Sequence, residues 1–234
     1  MNRSVVSLSL LLFAAMSCPA AVITLTNQGF ELGNTSGWTI SGSVAATAQT
    51  TIGNWTVGPA GTSMAMLTAG SVTVSSLESF FGVTPGLLSG GLPPGTATYG
   101  SGIYQDFSGN AGDTVTMYWA YVASDYNPFN DPGFALVTGP GGEQLTVLAS
   151  IWNGGITVGS YGATGWHAFT YTLPAAGNYR LGFGAVNTAD NALPSYLFLD
   201  NAPGALTGVG EIPEPGTFAL LGAGMLALGL LRRR

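Results

Sequence analysis

Thr114-Val115-Thr116-Met117-Tyr118-Trp119-Ala120-Tyr121-Val122 alternates between two faces, with Val115, Met117, Trp119 and Tyr121 on one of them. A period of two is the spacing of a β-strand, and four large side chains on one side place that strand at the centre of a core. Downstream, Phe134–Thr138 and Gln144–Ser150 flank Gly139-Pro140-Gly141-Gly142 and read as a hairpin. Trp166–Thr172 and Tyr179–Val186 form two more strands, joined through Pro174 and Gly177. In the second, Tyr179, Leu181 and Phe183 share a face, while Gly182 and Gly184 leave the other open to a close neighbour. Tyr196–Asp200 closes the series.

Upstream, Ile23–Leu25, Ser63–Leu67 and Gly102–Phe107 read as strands. Ser75–Phe81 is the exception: Ser75 and Glu78 have the spacing of a capping box, and Gly82 suits a left-handed helix end. The run from Thr84 to Thr96, rich in Gly and Pro, reads as a surface flap. No sustained helical period and no fixed repeat occurs between Val22 and Thr207. The fold expected over residues 22–203 is therefore all-β, a single jelly-roll β-sandwich with one short helix. Gly204–Gly210 reads as a flexible stalk, the linker expected over residues 204–211.

Roughly 190 residues between two terminal segments suffice for one core. That region has no lysine and one arginine, Arg180, against Glu31, Glu78, Asp106, Asp113, Asp125, Asp131, Glu143, Asp190 and Asp200. So acidic a balance excludes nucleic acid and anionic lipid as partners of the domain. Scarce charge with abundant Gly, Thr, Ser and Asn suits an exported protein.

Both ends carry targeting signals. Arg3, the apolar run Val5–Ala15 and Cys18-Pro19-Ala20 make a signal peptide over residues 1–20, cut by signal peptidase before Ala21. Ala15 and Pro19 argue against Cys18 as a lipidated residue. Its removal leaves a mature chain without cysteine, hence without disulfides. At the other end, Pro213-Glu214-Pro215 precedes an uncharged apolar run and then Arg232, Arg233 and Arg234. The run reads as a transmembrane helix over about residues 217–231. Its apolar core from Phe218 spans only ~21 Å, short of a ~30 Å hydrocarbon layer. The three arginines stop translocation and stay on the cytoplasmic side.

These residues resemble the PEP-CTERM sorting tail of bacterial exported proteins, over residues 212–234. The resemblance implies recognition by an exosortase, a membrane-embedded transpeptidase, near Pro213-Glu214-Pro215. It implies a host that makes extracellular polysaccharide, transient anchoring in the inner membrane with the domain outside, then a surface or extracellular destination.

Gly29-Phe30-Glu31 with Gly37-Trp38, and Leu199-Asp200-Asn201, resemble the first and last strands of galactose-binding-like jelly rolls, the fold of many carbohydrate-binding modules. The resemblance implies that Glu31 and Asp200 bind a structural Ca²⁺ together with backbone carbonyls. The alternative is that Glu31 caps a turn and Asp200 ends a surface strand. A second oxygen-rich loop, Asp125-Tyr126-Asn127-Pro128-Phe129-Asn130-Asp131, follows the central strand. Either it holds a cation or stacks Tyr126 and Phe129 on a sugar, or it is a proline turn whose Asn and Asp make local backbone bonds. It lacks the spaced ligands of an EF-hand.

His167, the single histidine, sits in a strand and reads as structural. No G-x-S-x-G occurs, and no local signature picks two acids as a hydrolytic pair. Trp38, Trp55, Trp119, Trp152 and Trp166 are numerous enough for a sugar platform, yet each lies in or beside an apolar run and reads as core. The function expected is non-enzymatic: an exported surface or matrix protein associated with extracellular polysaccharide or biofilm. A calcium-dependent lectin, a polysaccharide hydrolase and an ice-binding protein are the alternatives; the last, also linked to this tail, finds only isolated pairs, Thr114 with Thr116 and Thr170 with Thr172.

Overall fold

The computed structural model describes residues 20–94 and 96–208. The expected signal peptide (Ala20 apart), residues 209–211, and the tail with its sorting motif, membrane helix and arginines lie outside the described residues. In chain order come β1 (Val22–Ile23), β2 (Thr39–Ser41), β3 (Ser43–Thr47), β4 (Thr50–Ile52), β5 (Trp55–Gly58), β6 (Met64–Thr68) and β7 (Val72–Thr73). Helices α1 (Val74–Phe81) and α2 (Leu87–Gly91) follow. Next are β8 (Ala97–Gly109), β9 (Thr114–Val122), β10 (Gly133–Gly139), β11 (Gly142–Ser150) and β12 (Ile156–Thr157). The last are β13 (His167–Thr172), β14 (Gly177–Thr188), β15 (Tyr196–Asp200) and β16 (Ala205–Gly208).

Two largely antiparallel sheets face each other as a jelly-roll β-sandwich. One runs β9-β15-β6-β3, with β13 along one edge of β9 and β1 on the other. The second runs β12-β11-β10-β14-β8-β2, with β7 also on β8. β1 and β15 share one edge of β9, because β13 covers the opposite edge continuously from Thr114 to Trp119. Between them Gln28 Nε2 donates to the Thr116 carbonyl at 2.7 Å.

The central strand packs as its alternation demands. Val115, Met117, Trp119 and Tyr121 are buried between the sheets with Leu197, Leu199 and Leu67 on their own side and Val137, Leu181 and Phe183 opposite. Each such side chain is worth about 1.5–3 kcal/mol of burial.

Each outer face is covered in part. On the second sheet, Phe81 of α1 lies over Gly182, where a Cβ would come within 2.6 Å of the ring, and meets Phe134 edge-on at 5.9 Å. The open side of β14 is thus filled by a helix. Arg180 ties that helix down: its Nη1 donates to the Phe81 carbonyl at 2.9 Å, its Nε and Nη2 grip Asp106, and its guanidinium stacks 3.6 Å over Tyr104.

The helix begins differently from its sequence spacing. Thr73, not Ser75, is the N-cap, accepting from the Ser76 N–H at 3.3 Å. Glu78 is therefore free of the capping box and reaches forward, accepting from Gly86, Leu88 and Ser89 N–H groups at 3.0, 2.9 and 3.2 Å. Those bonds satisfy the start of α2, a second short helix inside the stretch expected to be a loop, which buries Leu88 and seats Leu92 just beyond its end. Gly82 closes α1 in the left-handed region at φ 71°, as expected.

On the first sheet the cover is a third, three-stranded sheet, β16-β5-β4. It buries Val57 against Met64, Ala120, Val122 and Phe198. The expected stalk is corrected here: residues 205–208 are a strand in register with β5, from Ala205 opposite Gly58 to Gly208 opposite Trp55. Leu206 packs on the same cluster, so this glycine-flanked segment gains a hydrophobic anchor that composition alone conceals. Among the described residues, no helix is long and apolar enough to cross a membrane.

Candidate functional site

One concavity of the sandwich opens beside the third sheet. β4 and β5 are joined by Gly53-Asn54, a two-residue turn whose Gly53 takes φ 54°. Trp55 follows, and its indole N–H donates to the Tyr161 carbonyl at 2.8 Å. Tyr161, itself at φ 57°, donates its backbone N–H to the Asp125 carbonyl at 2.9 Å. The 159–164 segment is held along the end of β9 by Thr164 N–H to the Tyr121 carbonyl and Ala123 N–H to the Gly162 carbonyl, both 2.9 Å.

These contacts frame a cleft of about 310 Å³ lined by Ile52, Gly53, Asn54, Trp55, Ala123, Ser124 and Tyr161. Its rim continues in aromatic rings. Tyr126 stands 5.9 Å from Tyr161 and 5.6 Å from Phe129. Trp152, whose indole N–H donates to the Pro128 carbonyl at 3.0 Å, lies beyond them. Tyr161 is 52% exposed, Tyr126 and Trp152 41% each, although large rings gain most by burial. Apolar faces beside the Ser124 hydroxyl and the Asn54 amide suit a ring with one apolar and one hydroxylated side.

Of the expected 125–131 loop, only part faces this cleft. Tyr126, Asn127 and Phe129 reach the surface side, with Asn127 N–H donating to the Ser160 hydroxyl at 3.2 Å. Asp125 and Asp131 are both buried, but only Asp125 makes the local backbone bond of the alternative reading; Asp131 bonds to segments distant in sequence. Asp125 accepts from the Tyr126 N–H at 2.7 Å, and burial raises its carboxyl above the usual range. Asp131 accepts from Thr188 N–H at 2.9 Å and the Ser195 hydroxyl at 3.2 Å, while its carbonyl takes the Tyr121 hydroxyl. Burial first, and the Asp125 charge further down, push Asp131 up to about 7. Asn130, fully buried, accepts from the Trp152 and Asn153 N–H groups at 2.7 and 3.0 Å.

Glu31 and Asp200 converge on one turn. Asp200 accepts from the Ala60 N–H at 2.9 Å, and Glu31 from the Thr62 N–H and hydroxyl at 2.9 and 2.7 Å. Asp200 is fully buried, and burial, followed lower down by the Glu31 charge, raises its carboxyl. Glu31 is exposed and held low by Thr62. Two carboxylates that repel each other on one turn, each with lone pairs to spare, form a donor set that fits a hard, oxygen-seeking cation such as Ca²⁺. Among the described residues no group of three His, Cys, Asp or Glu side chains comes together, so backbone carbonyls would complete such a shell.

His167 lies in β13 opposite Trp119, the rings 5.2 Å apart. The threonine pairs are not isolated: Thr170 pairs with Thr116 and Thr172 with Thr114, with the Thr116 and Thr170 hydroxyls 2.9 Å apart. The patch stops at two residues per strand, since Ala168 and Tyr118 come next. Trp38 and Trp119 are core as expected; Trp152 is exposed, and Trp55 and Trp166 are only partly covered. Sequence reasoning weighed Trp55 for a sugar platform but read it as core, and it passed over Tyr161. For Trp55 the further signal was the Gly53-Asn54 turn, which presents the residue after it.

Residues 211–234 match the PEP-CTERM protein-sorting motif. No curated protein matches the chain. Among solved structures, the chain is similar to TmCBM61, described in complex with β-1,4-galactotriose (14% identity, 79% of this chain and 97% of that one, TM-score 0.46). It is also similar to the xylan-binding domain from CBM 22 (14% identity, 79% and 94%, TM-score 0.34). A third is the enzymatically active domain of bacteriophage CBA120 tailspike protein 4 (12% identity, 78% of this chain and 21% of that one, TM-score 0.37).

Proposed function

We propose that this is an exported, non-enzymatic carbohydrate-binding protein, delivered by its sorting tail and holding extracellular polysaccharide in the cleft between β5 and the 123–126 and 159–162 segments. The observation that carries the proposal is the exposed aromatic rim. Trp55, Tyr161 and Tyr126 are fixed by backbone hydrogen bonds beside Asn54 and Ser124, a preformed surface for stacking and orienting a sugar. Exosortase would act near Pro213-Glu214-Pro215 after signal peptidase has removed the leader, and the mature protein would then lack Arg232–Arg234. The Glu31–Asp200 turn would hold Ca²⁺ as a structural ion, neutralising two like charges between the first and last parts of the domain.

Isothermal titration against a panel of neutral polysaccharides, repeated in EDTA, tests the reading. Trp55→Ala and Tyr161→Ala should each weaken binding by about 1–3 kcal/mol, roughly 5- to 150-fold, with unchanged circular dichroism. EDTA should lower the melting temperature. If no glycan binds, the cleft proposal fails; an EDTA-insensitive melt removes the ion. Release of reducing ends from the bound polymer would replace binding by hydrolysis, and an intact mass that includes the arginines would refute processing.

A further inference from the structure

Asp113 sits in the turn before β9 and is 5% exposed. Its Oδ2 accepts from the Asn110 N–H at 2.8 Å, and its Oδ1 accepts from the backbone nitrogen of Ala21, also at 2.8 Å. The Ala21 carbonyl in turn accepts from the Thr114 N–H at 2.9 Å, and β1 starts at the next residue. The sequence places the leader cut between Ala20 and Ala21, at the nitrogen that this carboxylate holds. We infer that signal-peptide removal leaves the α-amino group of Ala21 as an ammonium ion paired with the Asp113 carboxylate, an ion pair that fastens the first strand of the mature domain.

The chemistry is hydrolysis of one amide. Water adds across the Ala20–Ala21 bond, its hydroxyl goes to the Ala20 carbonyl, and the nitrogen leaves with Ala21 and takes a proton. One neutral N–H donor becomes a charged group with three, and the existing hydrogen bond becomes charge-assisted. Ala20 is exposed, and its Cβ would be no nearer than 3.8 Å to one placed on Gly112, so its loss removes little packing. A Cβ placed on Gly109 would lie within 3.3 Å of Leu173, Ile23 and the Asp113 carboxylate, so the carboxylate shares that site with two apolar side chains. Asp113 is held below the usual carboxylate range by the Asn110 and then the Ala21 N–H, with no charged side chain among its influences. A two-residue strand at a chain end frays unless tied, and this pair supplies the tie.

The inference rests on the export proposal, and its test separates the two. The chain contains no lysine, so the α-amine is the single reactive amine. Two chains, beginning at Ala21 and at Ala20, both ending at Arg234 and purified in one detergent, are reductively ¹³C-methylated and titrated by NMR. In the Ala21 chain the amine should titrate about one unit or more above the ordinary ~8, and unmethylated protein should react with an amine label roughly tenfold slower at pH 7.5. Its melting temperature should exceed that of the Ala20 chain below pH 8, the advantage fading as pH rises through the raised pKa. Asp113→Asn should return the amine to its ordinary value; the Ala20 chain supplies the same contrast without altering the turn. Equal titration and labelling in the two chains overturns the ion pair. Amino-terminal sequencing of the exported protein tests the cut independently, and a start other than Ala21 overturns its occurrence in the natural protein while leaving the titration result intact.

Discussion

Acid should stabilise this protein, and Asp131 is the main reason. Its carboxyl is buried where the 125–132 loop, the end of β14 and Ser195 meet, and rises from its ordinary value to about 7. A carboxyl raised on folding contributes stability that is complete below its unfolded pKa of ~3.9 and lost as pH climbs through the folded value. Between pH 8 and pH 5 such a group yields about 2–3 kcal/mol, or roughly 5–10 °C of melting temperature for a domain of this size. Asp125, also raised chiefly by burial, acts in the same direction. Glu31 and Asp113, lowered by their N–H and hydroxyl donors, lose their contributions only as pH falls through values beneath ~4, outside this window. Scanning calorimetry at half-unit pH steps reads the effect. Asp131→Asn cannot titrate and offers a single acceptor where Thr188 and Ser195 need two, so it should melt lower at pH 5 and show a clearly shallower slope. A wild-type melting temperature that is flat or falls from pH 8 to 5, or an unchanged slope in Asp131→Asn, would refute the reasoning.

Two further substitutions probe the helical cover. Phe81→Ala empties the site over Gly182 and should cost about 3–5 kcal/mol in urea unfolding. Glu78→Gln halves the acceptor capacity facing Gly86, Leu88 and Ser89, and should cost about 1–3 kcal/mol while speeding hydrogen exchange at those amides more than at β9.

What the sequence made legible was the part governed by local period. The alternation of 114–122 placed Val115, Met117, Trp119 and Tyr121 in the core, and Gly182 and Gly184 announced a close approach that Phe81 and Phe134 make. What stayed hidden depends on partners distant in sequence. α2 exists because Glu78 turns away from its own helix start, and β16 because Leu206 finds an apolar cluster made by β6, β9 and β15. The cleft is hidden for the same reason: Trp55 and Tyr161 are joined by one hydrogen bond across 106 residues. That Glu31 and Asp200 meet at one turn was legible because they sit near the two ends of the domain, where a resemblance has fixed points to compare.

The pairing of Gly208 with Trp55 sets a leash. Eight residues separate Gly208 from Thr217, where the expected membrane segment starts, a reach of about 30 Å when fully extended. A tail held in a bilayer would keep the aromatic mouth of the domain within that reach of the lipid surface. Severing the tail would then let that end, which Trp55 and Tyr161 shape, leave the neighbourhood of the membrane.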